Sequence, residues 1–268
     1  MTKGFVPKKV YHYTKLESFL KIWETKSLLF SDVKPLNDIF ERNKIITVDK
    51  ATLPVIGKPK TELELVEIFM RQFYKTLNNY RQISLTIGQE TMIPRGYDIP
   101  MMWGQYARWR KTKRSKWQDG VCIELNTDML DLENPSLYCR KVTYTNRIHQ
   151  VSFDGYNFVK NSIETFIDAH LKDLFFVKHS SWKAEKEFRI VTNDTQFKFL
   201  SIEGAISGIY VPNYDSETMA AVEDAVKEDR LLFFFINSYA KNVRRLSRYN
   251  VHEFREFEKG KKHFPFSY

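Results

Sequence analysis

Apolar positions along the chain follow two rhythms, one of helical period and one of strict alternation, and the two are interspersed from end to end. Leu16, Phe19, Leu20 and Trp23 share one side of a helix expected over 15–25. Leu65, Ile68, Phe69, Phe73 and Leu77 do the same after a capping box formed by Thr61 and Glu64. Further helices are expected over 101–110, 158–176 and 217–227. Strands are expected over 9–13, 28–30, 82–87, 120–125, 138–144, 187–192, 197–200, 205–211 and 231–236, each bounded by turn-forming residues or a helix. Between the early elements lies SDVKPLNDIFE, whose Asp, Asn and Pro favour turns. The tail from Tyr249 is charged and fits neither rhythm.

Strands and helices do not follow a regular βαβ alternation, so the expected class is α+β with a mixed, mostly antiparallel sheet flanked by helices. No composition shift marks a boundary, and no internal repeat is visible. The chain of 268 residues is expected to form a single domain, with a core over about 9–209 and a C-terminal extension of the same fold over 210–268.

The strand expected around 187–192 carries an unusual load. In SSWKAEKEFRIV, alternation sends Glu185, Glu187 and Arg189 to one face and Phe188 and Ile190 to the other. Two carboxylates and a guanidinium on one face suit either a solvated edge strand with an ion pair or a site that uses the charges.

Composition narrows the setting. A hydrophobic share of 43% with 21 Phe and 14 Tyr against 10 Gly and 9 Pro describes a chain with a real core and few flexible linkers. The 42 Lys and Arg against 33 Asp and Glu give a net charge of +9, which suggests a polyanionic partner or an anionic ligand. Cys122 and Cys139 have no metal-ligand spacing and fit a reduced, cytoplasmic protein. The start, MTKGFVPKKVYHYTK, lacks the apolar centre of a signal peptide, and no apolar run is long enough to span a bilayer, so no membrane partner is expected.

Several chemistries lack their motifs. There is no Gly-rich phosphate loop of the P-loop or dinucleotide-binding kind, and no Gly-x-Ser-x-Gly elbow. The six histidines show no paired-ligand spacing, so no metal cofactor is expected.

Three further segments stand out. Tyr11, His12, Tyr13 and Thr14 end the first strand, Asn37 and Asp38 sit in a turn with Glu41 nearby, and Trp103 with Tyr106 opens a helix in the run MWGQYA. Each has a plain structural reading: His12 can bridge backbone groups, Asn37 and Asp38 can cap a turn, and Trp103 and Tyr106 can belong to a core. In order, however, YHYT, LND, the Ser84-Leu85-Thr86 strand, MWGQYA, GVCIEL and W-x-x-E-x-E-x-R resemble a bacterial family, domain of unknown function 2971. The resemblance runs from about Lys9 to Ile209. It departs from the family's pattern at Ile39, where a proline is usual, and at Ser84-Leu85-Thr86, where Cys-Phe-Ser is usual.

That family is similar to the ADP-ribosyltransferase superfamily, whose members place a His, a Tyr and a Glu on separate elements of a split sheet. The resemblance implies His12, Tyr106 and Glu187 as that set, with Glu185 orienting an acceptor and NAD as a substrate. It also implies NAD contacts from Tyr13, Thr14, Asn37, Asp38, Ser84, Trp103 and Arg189. The acceptor is unspecified, a nucleic acid or an intracellular protein.

One feature opens a second expectation. Arg108, Arg110, Lys111, Lys113, Arg114 and Lys116 form a basic run with Trp109 inside it and Trp117 beside it. Cations interleaved with aromatics suit a single nucleic-acid strand, and a solvated loop is the plain alternative. A nucleic-acid-binding or nuclease-like module, with Glu185, Glu187 and Asp38 gathering a Mg²⁺ ion, is therefore a competing reading. A catalytically inactive interaction domain is a third.

Overall fold

A computed structural model of the chain describes residues 6–33, 45–49, 62–88, 96–109, 118–146, 150–154, 163–212, 216–226, 233–236 and 244–245. The chain divides into two compact units, each drawn from separate stretches. The first comprises Met1–Lys8, Leu28–Ile87 and Asp131–Ser201, and the second Lys9–Ser27, Gly88–Leu130 and Ile202–Tyr268. Strand pairing in both is mostly antiparallel and helices accompany each sheet, so the fold is α+β. The position 209/210, expected to begin a C-terminal extension, falls inside the continuous strand Ile206–Pro212.

In the first unit, Glu187–Thr192 is the central strand. It pairs antiparallel with Arg81–Ile87 on one side and with Tyr138–Lys141 on the other. All six of its residues are buried. The solvated-edge reading of this segment is therefore overturned, because a strand flanked on both sides has no open ladder to present to water. Its Val191 joins an aromatic core with Phe69, Phe73, Tyr80, Ile167, Leu174, Phe175 and Phe176. Phe69 and Phe73, one helical turn apart on Glu62–Leu77, stack at 5.8 Å and meet Phe166 edge-on. The capping residue expected for that helix, Thr61, lies outside the described residues.

The helix expected to end at 176 stops one residue earlier, and within its described part it turns at His170. Ile163–Ala169 and Leu171–Phe175 are separate helices, and the His170 N–H donates to both Phe166 and Ile167 carbonyls. The chain then enters a short strand, Val177–His179, parallel to Thr143–Thr145. Sequence pattern did not predict that strand, and it carries the residue on which the candidate site turns.

In the second unit, Lys9–Thr14 pairs antiparallel with Val121–Asn126, which pairs in turn with Ile206–Pro212. Phe233–Ile236 adds a parallel strand and Arg244–Arg245 a further antiparallel one. The helix expected over 101–110 is shorter, Pro100–Tyr106. The chain leaves it at Ala107, whose carbonyl accepts the N–H of Gly120, and Arg108–Trp109 forms a short ladder with Gln118–Asp119. Gly120 is required there, since a Cβ would lie 2.1 Å from the Thr14 carbonyl oxygen.

Candidate functional site

Four charged side chains meet in the first unit. Arg189 grips Glu187, two residues before it on the same strand face, with Nε on Oε1 at 2.6 Å and Nη2 on Oε2 at 2.8 Å. Its Nη1 donates to the Phe175 carbonyl at 2.6 Å. Lys178 donates to Glu185 Oε2 at 2.6 Å and to Glu187 Oε2 at 3.4 Å. All four are nearly sealed from water, with 6% of Lys178, 2% of Glu185, 4% of Glu187 and 1% of Arg189 exposed. Two cations and two anions make a neutral set, the condition under which such burial is tolerable.

The local backbone explains how Glu185 and Glu187 reach one ammonium. Glu185 does not share the strand face with Glu187 and Arg189, as alternation predicts, but ends a 3₁₀ turn, Ser180–Glu185. His179 caps that turn, its Nδ1 accepting the Ser181 N–H. Lys186 follows in the left-handed region, φ 47° and ψ 51°, and Glu187 opens the strand. This one reversed residue brings the carboxylates on either side of it to Lys178. Trp182 joins from the same turn, with its ring centre 4.7 Å from Lys178 Nζ. Every named position of W-x-x-E-x-E-x-R is thereby tied, directly or through Glu187, to a lysine outside the motif.

The network sets the charge state of Glu187. Burial by itself would raise its pKa, but the charge and hydrogen bonds of Arg189, then the Lys178 charge and a hydrogen bond from Ser84, outweigh it and hold the group down to about 2. Its backbone N–H is anchored on the Tyr144 hydroxyl at 2.8 Å. Glu187 is thus a fixed anion at neutral pH. The position between the two carboxylates that a Mg²⁺ ion would take is filled by the Lys178 ammonium. Among the described residues no group of three or more His, Cys, Asp or Glu is placed to hold a metal.

The second unit holds the other predicted residues. Tyr11 and Tyr13 face one side of their strand and enter an aromatic cluster with Tyr97, Ile99, Met102, Cys122 and Tyr210, against which Trp103 and Tyr106 pack. The Tyr13 hydroxyl donates to the Gly96 carbonyl at 2.6 Å, and burial pushes its pKa far up. Trp103 meets Tyr13 edge-on at 5.2 Å and donates to the Tyr97 carbonyl at 2.8 Å. Tyr11 is clasped by two glycines, since a Cβ on Gly88 or Gly96 would lie 2.2 or 2.0 Å from its ring. His12 and Thr14 alternate to the opposite face, in register with Ile123 and Val121. The strand therefore separates His12 from the face on which Trp103 and Tyr106 pack.

A second buried acid went unassigned in the sequence. Glu124, paired with Tyr11 in register, accepts from Tyr210 at 2.7 Å and Ser207 at 2.9 Å and bridges Lys9 at 3.0 Å. Burial would raise its pKa, but these hydrogen bonds and the Lys9 charge lower it. The signal available was its place in GVCIEL, a lone carboxylate inside a buried apolar run.

The predicted set is distributed as follows. Glu185, Glu187, Arg189 and Ser84 belong to the first unit, and Ser84 and Arg189 are register partners. His12, Tyr13, Thr14, Trp103 and Tyr106 belong to the second. Asn37 and Asp38 lie outside the described residues, as do Arg110, Lys111, Lys113, Arg114 and Lys116. Arg108 is described, exposed and 3.6 Å from Asp119.

Comparison with known proteins bears on the segment carrying much of this. Residues 102–190 match the family described as Protein of unknown function (DUF2971). The match takes in Trp103, Tyr106, Glu124, Lys178 and the whole of W-x-x-E-x-E-x-R, Trp182 to Arg189. No curated protein matches the chain. No helix among the described residues is long and apolar enough to cross a membrane.

Proposed function

We propose that the chain is an NAD-cleaving enzyme of the ADP-ribosyltransferase type, acting on an intracellular acceptor, with Glu187 as the carboxylate that favours cleavage. The observation that supports this is the fixed, ionised state of Glu187. Breaking the bond between ribose and nicotinamide sends the electron pair out with nicotinamide and leaves positive charge on the ribose carbon. A carboxylate already ionised, held by Arg189 and Lys178 on a backbone whose N–H is anchored to the Tyr144 hydroxyl, needs no reorganisation to stabilise that charge. In this reading Glu185, on the same lysine as Glu187, orients the acceptor.

One observation favours a second reading, an interaction domain without turnover: each charge in the network already has a partner of opposite sign within the network. The deciding measurement is nicotinamide release from NAD by the purified protein beside Glu187→Gln, with circular dichroism to confirm that the variant folds. Release that falls about a hundred-fold or more in the folded variant supports the enzyme. Release unchanged in the variant removes Glu187 from the chemistry, and absence of both NAD binding and release in the wild type favours the interaction domain.

A further inference from the structure

Gly104 lies within the Pro100–Tyr106 helix, where glycine is less stable than alanine. Gly88, Gly96, Gly120 and Gly204 each have a reason internal to the chain. A Cβ on Gly88 or Gly96 would strike the Tyr11 ring, one on Gly120 would strike the Thr14 carbonyl, and Gly204 has a φ of 71°. Gly104 has neither reason, since nothing lies within 4 Å of its Cβ position and its backbone is helical. Its missing side chain relieves no contact within the fold. What it does provide is room for something outside the chain to come close to the helix backbone.

The surroundings of Gly104 define what that could be. Pro100, Gly104 and Gln105 are exposed on the helix, and Arg108 follows it, with 51% of its side chain exposed beside Asp119. Between Asp98 and Asp119 the sequence holds Arg108, Arg110, Lys111, Lys113, Arg114 and Lys116 and no acid. The Ala107 carbonyl and the ladder of Arg108–Trp109 with Gln118–Asp119 bring both ends of that basic run to the end of the helix. A stretch of one sign fits a polyanion. An anionic membrane would need large apolar side chains beside the cations, and the exposed helix positions carry none. Trp109 and Trp117 stand among the cations, the composition that suits a single nucleic-acid strand, with phosphates on Lys and Arg and bases on rings. Gln105 and Arg108 supply donors of the kind that reach phosphate and sugar oxygens.

We propose that the exposed face of the Pro100–Tyr106 helix at Gly104, with Gln105 and Arg108, docks the sugar-phosphate backbone of a single-stranded nucleic acid. The strand packs on the helix where Gly104 leaves room, and the charge of the adjoining basic sequence draws it there. Only the strand's standing as the acceptor of the reaction rests on the NAD-cleaving reading; the docking face itself does not.

The test uses the full chain with a fluorescein-labelled oligothymidylate as probe, read by fluorescence anisotropy without NAD, together with thermal melts. Wild-type binding is expected to weaken steeply as salt rises. Arg108→Gln is expected to weaken it further and to reduce the slope of log affinity against log salt by about 0.7. Gly104→Ala is expected to raise Tm while weakening binding about ten-fold, because its methyl group takes the space the strand occupies. A glycine with no role at the surface would raise Tm and leave binding unchanged, and that result would overturn the docking face. So would absence of binding by the wild type, or inorganic polyphosphate competing as strongly as the oligonucleotide, since polyphosphate has the charge without the bases. Strand binding without nicotinamide release from NAD would leave the docking face standing and sink the enzyme reading, and release without strand binding would do the reverse.

Discussion

A lysine ammonium sealed between two carboxylates is stable only while its partners remain. Lys178 has that position, and its loss would strand Glu185 and weaken the hold on Glu187 in surroundings that exclude water. Lys178→Met is expected to lower stability by about 3–5 kcal/mol in urea denaturation. The double variant Lys178→Met, Glu185→Gln is expected to recover a large part of that, because the stranded charge goes with its partner. Losses that simply add would show that the pair is not coupled. The sequence made the acidic cluster legible through the two-residue spacing of Glu187 and Arg189, since alternation alone puts them side by side. Lys178 was not legible. It lies in a three-residue strand with no periodic signal, and its relation to Glu185 and Glu187 exists only once Lys186 reverses the backbone.

At the level of elements, the Y-x-Y of the first strand acts as an anchor. Tyr13 holds the Gly96 carbonyl by a hydrogen bond while the Tyr11 ring lies against the Gly96 Cα. A glycine is required at 96 because the ring occupies the space of a Cβ. The same substitution at two glycines should therefore have opposite signs. Gly96→Ala is expected to cost about 1–3 kcal/mol by forcing the Tyr11 ring to shift, whereas Gly104→Ala, with nothing within 4 Å of its Cβ on the Pro100–Tyr106 helix, should gain about 0.5–1 kcal/mol. Thermal melts of the two variants check this, and equal shifts would refute the clasp. Element type was largely visible from the two hydrophobic rhythms. Helix ends were not, because the stops at Tyr106 and Phe175 come from contacts made across the sheet and the turn, which leave no mark on local periodicity.

For the whole molecule, the acid limb of stability carries the signature of the buried carboxylates. The folded pKa of Glu187, about 2, lies below its ordinary 4.5, so the unfolded chain takes up this proton first as pH falls. The stability it contributes is complete above about pH 4.5 and is lost as pH drops towards 2. Glu124, also lowered, acts in the same sense. Urea midpoints measured through that interval should fall steadily, and a flat profile would show that Glu187 is not held by its partners. The single-domain expectation was drawn from the absence of any composition shift; the two units are interleaved along the chain, which changes unit at 8/9, 27/28, 87/88, 130/131 and 201/202.

That interleaving has a consequence during synthesis. The Lys9–Thr14 strand is among the first parts of the described chain to be made, yet its antiparallel partner is Val121–Asn126, and that partner's own second neighbour is Ile206–Pro212. Its tyrosines must leave the ribosome long before anything exists to cover them, so a chain of this connectivity folds late and depends on protection of its nascent strands until the second half has emerged.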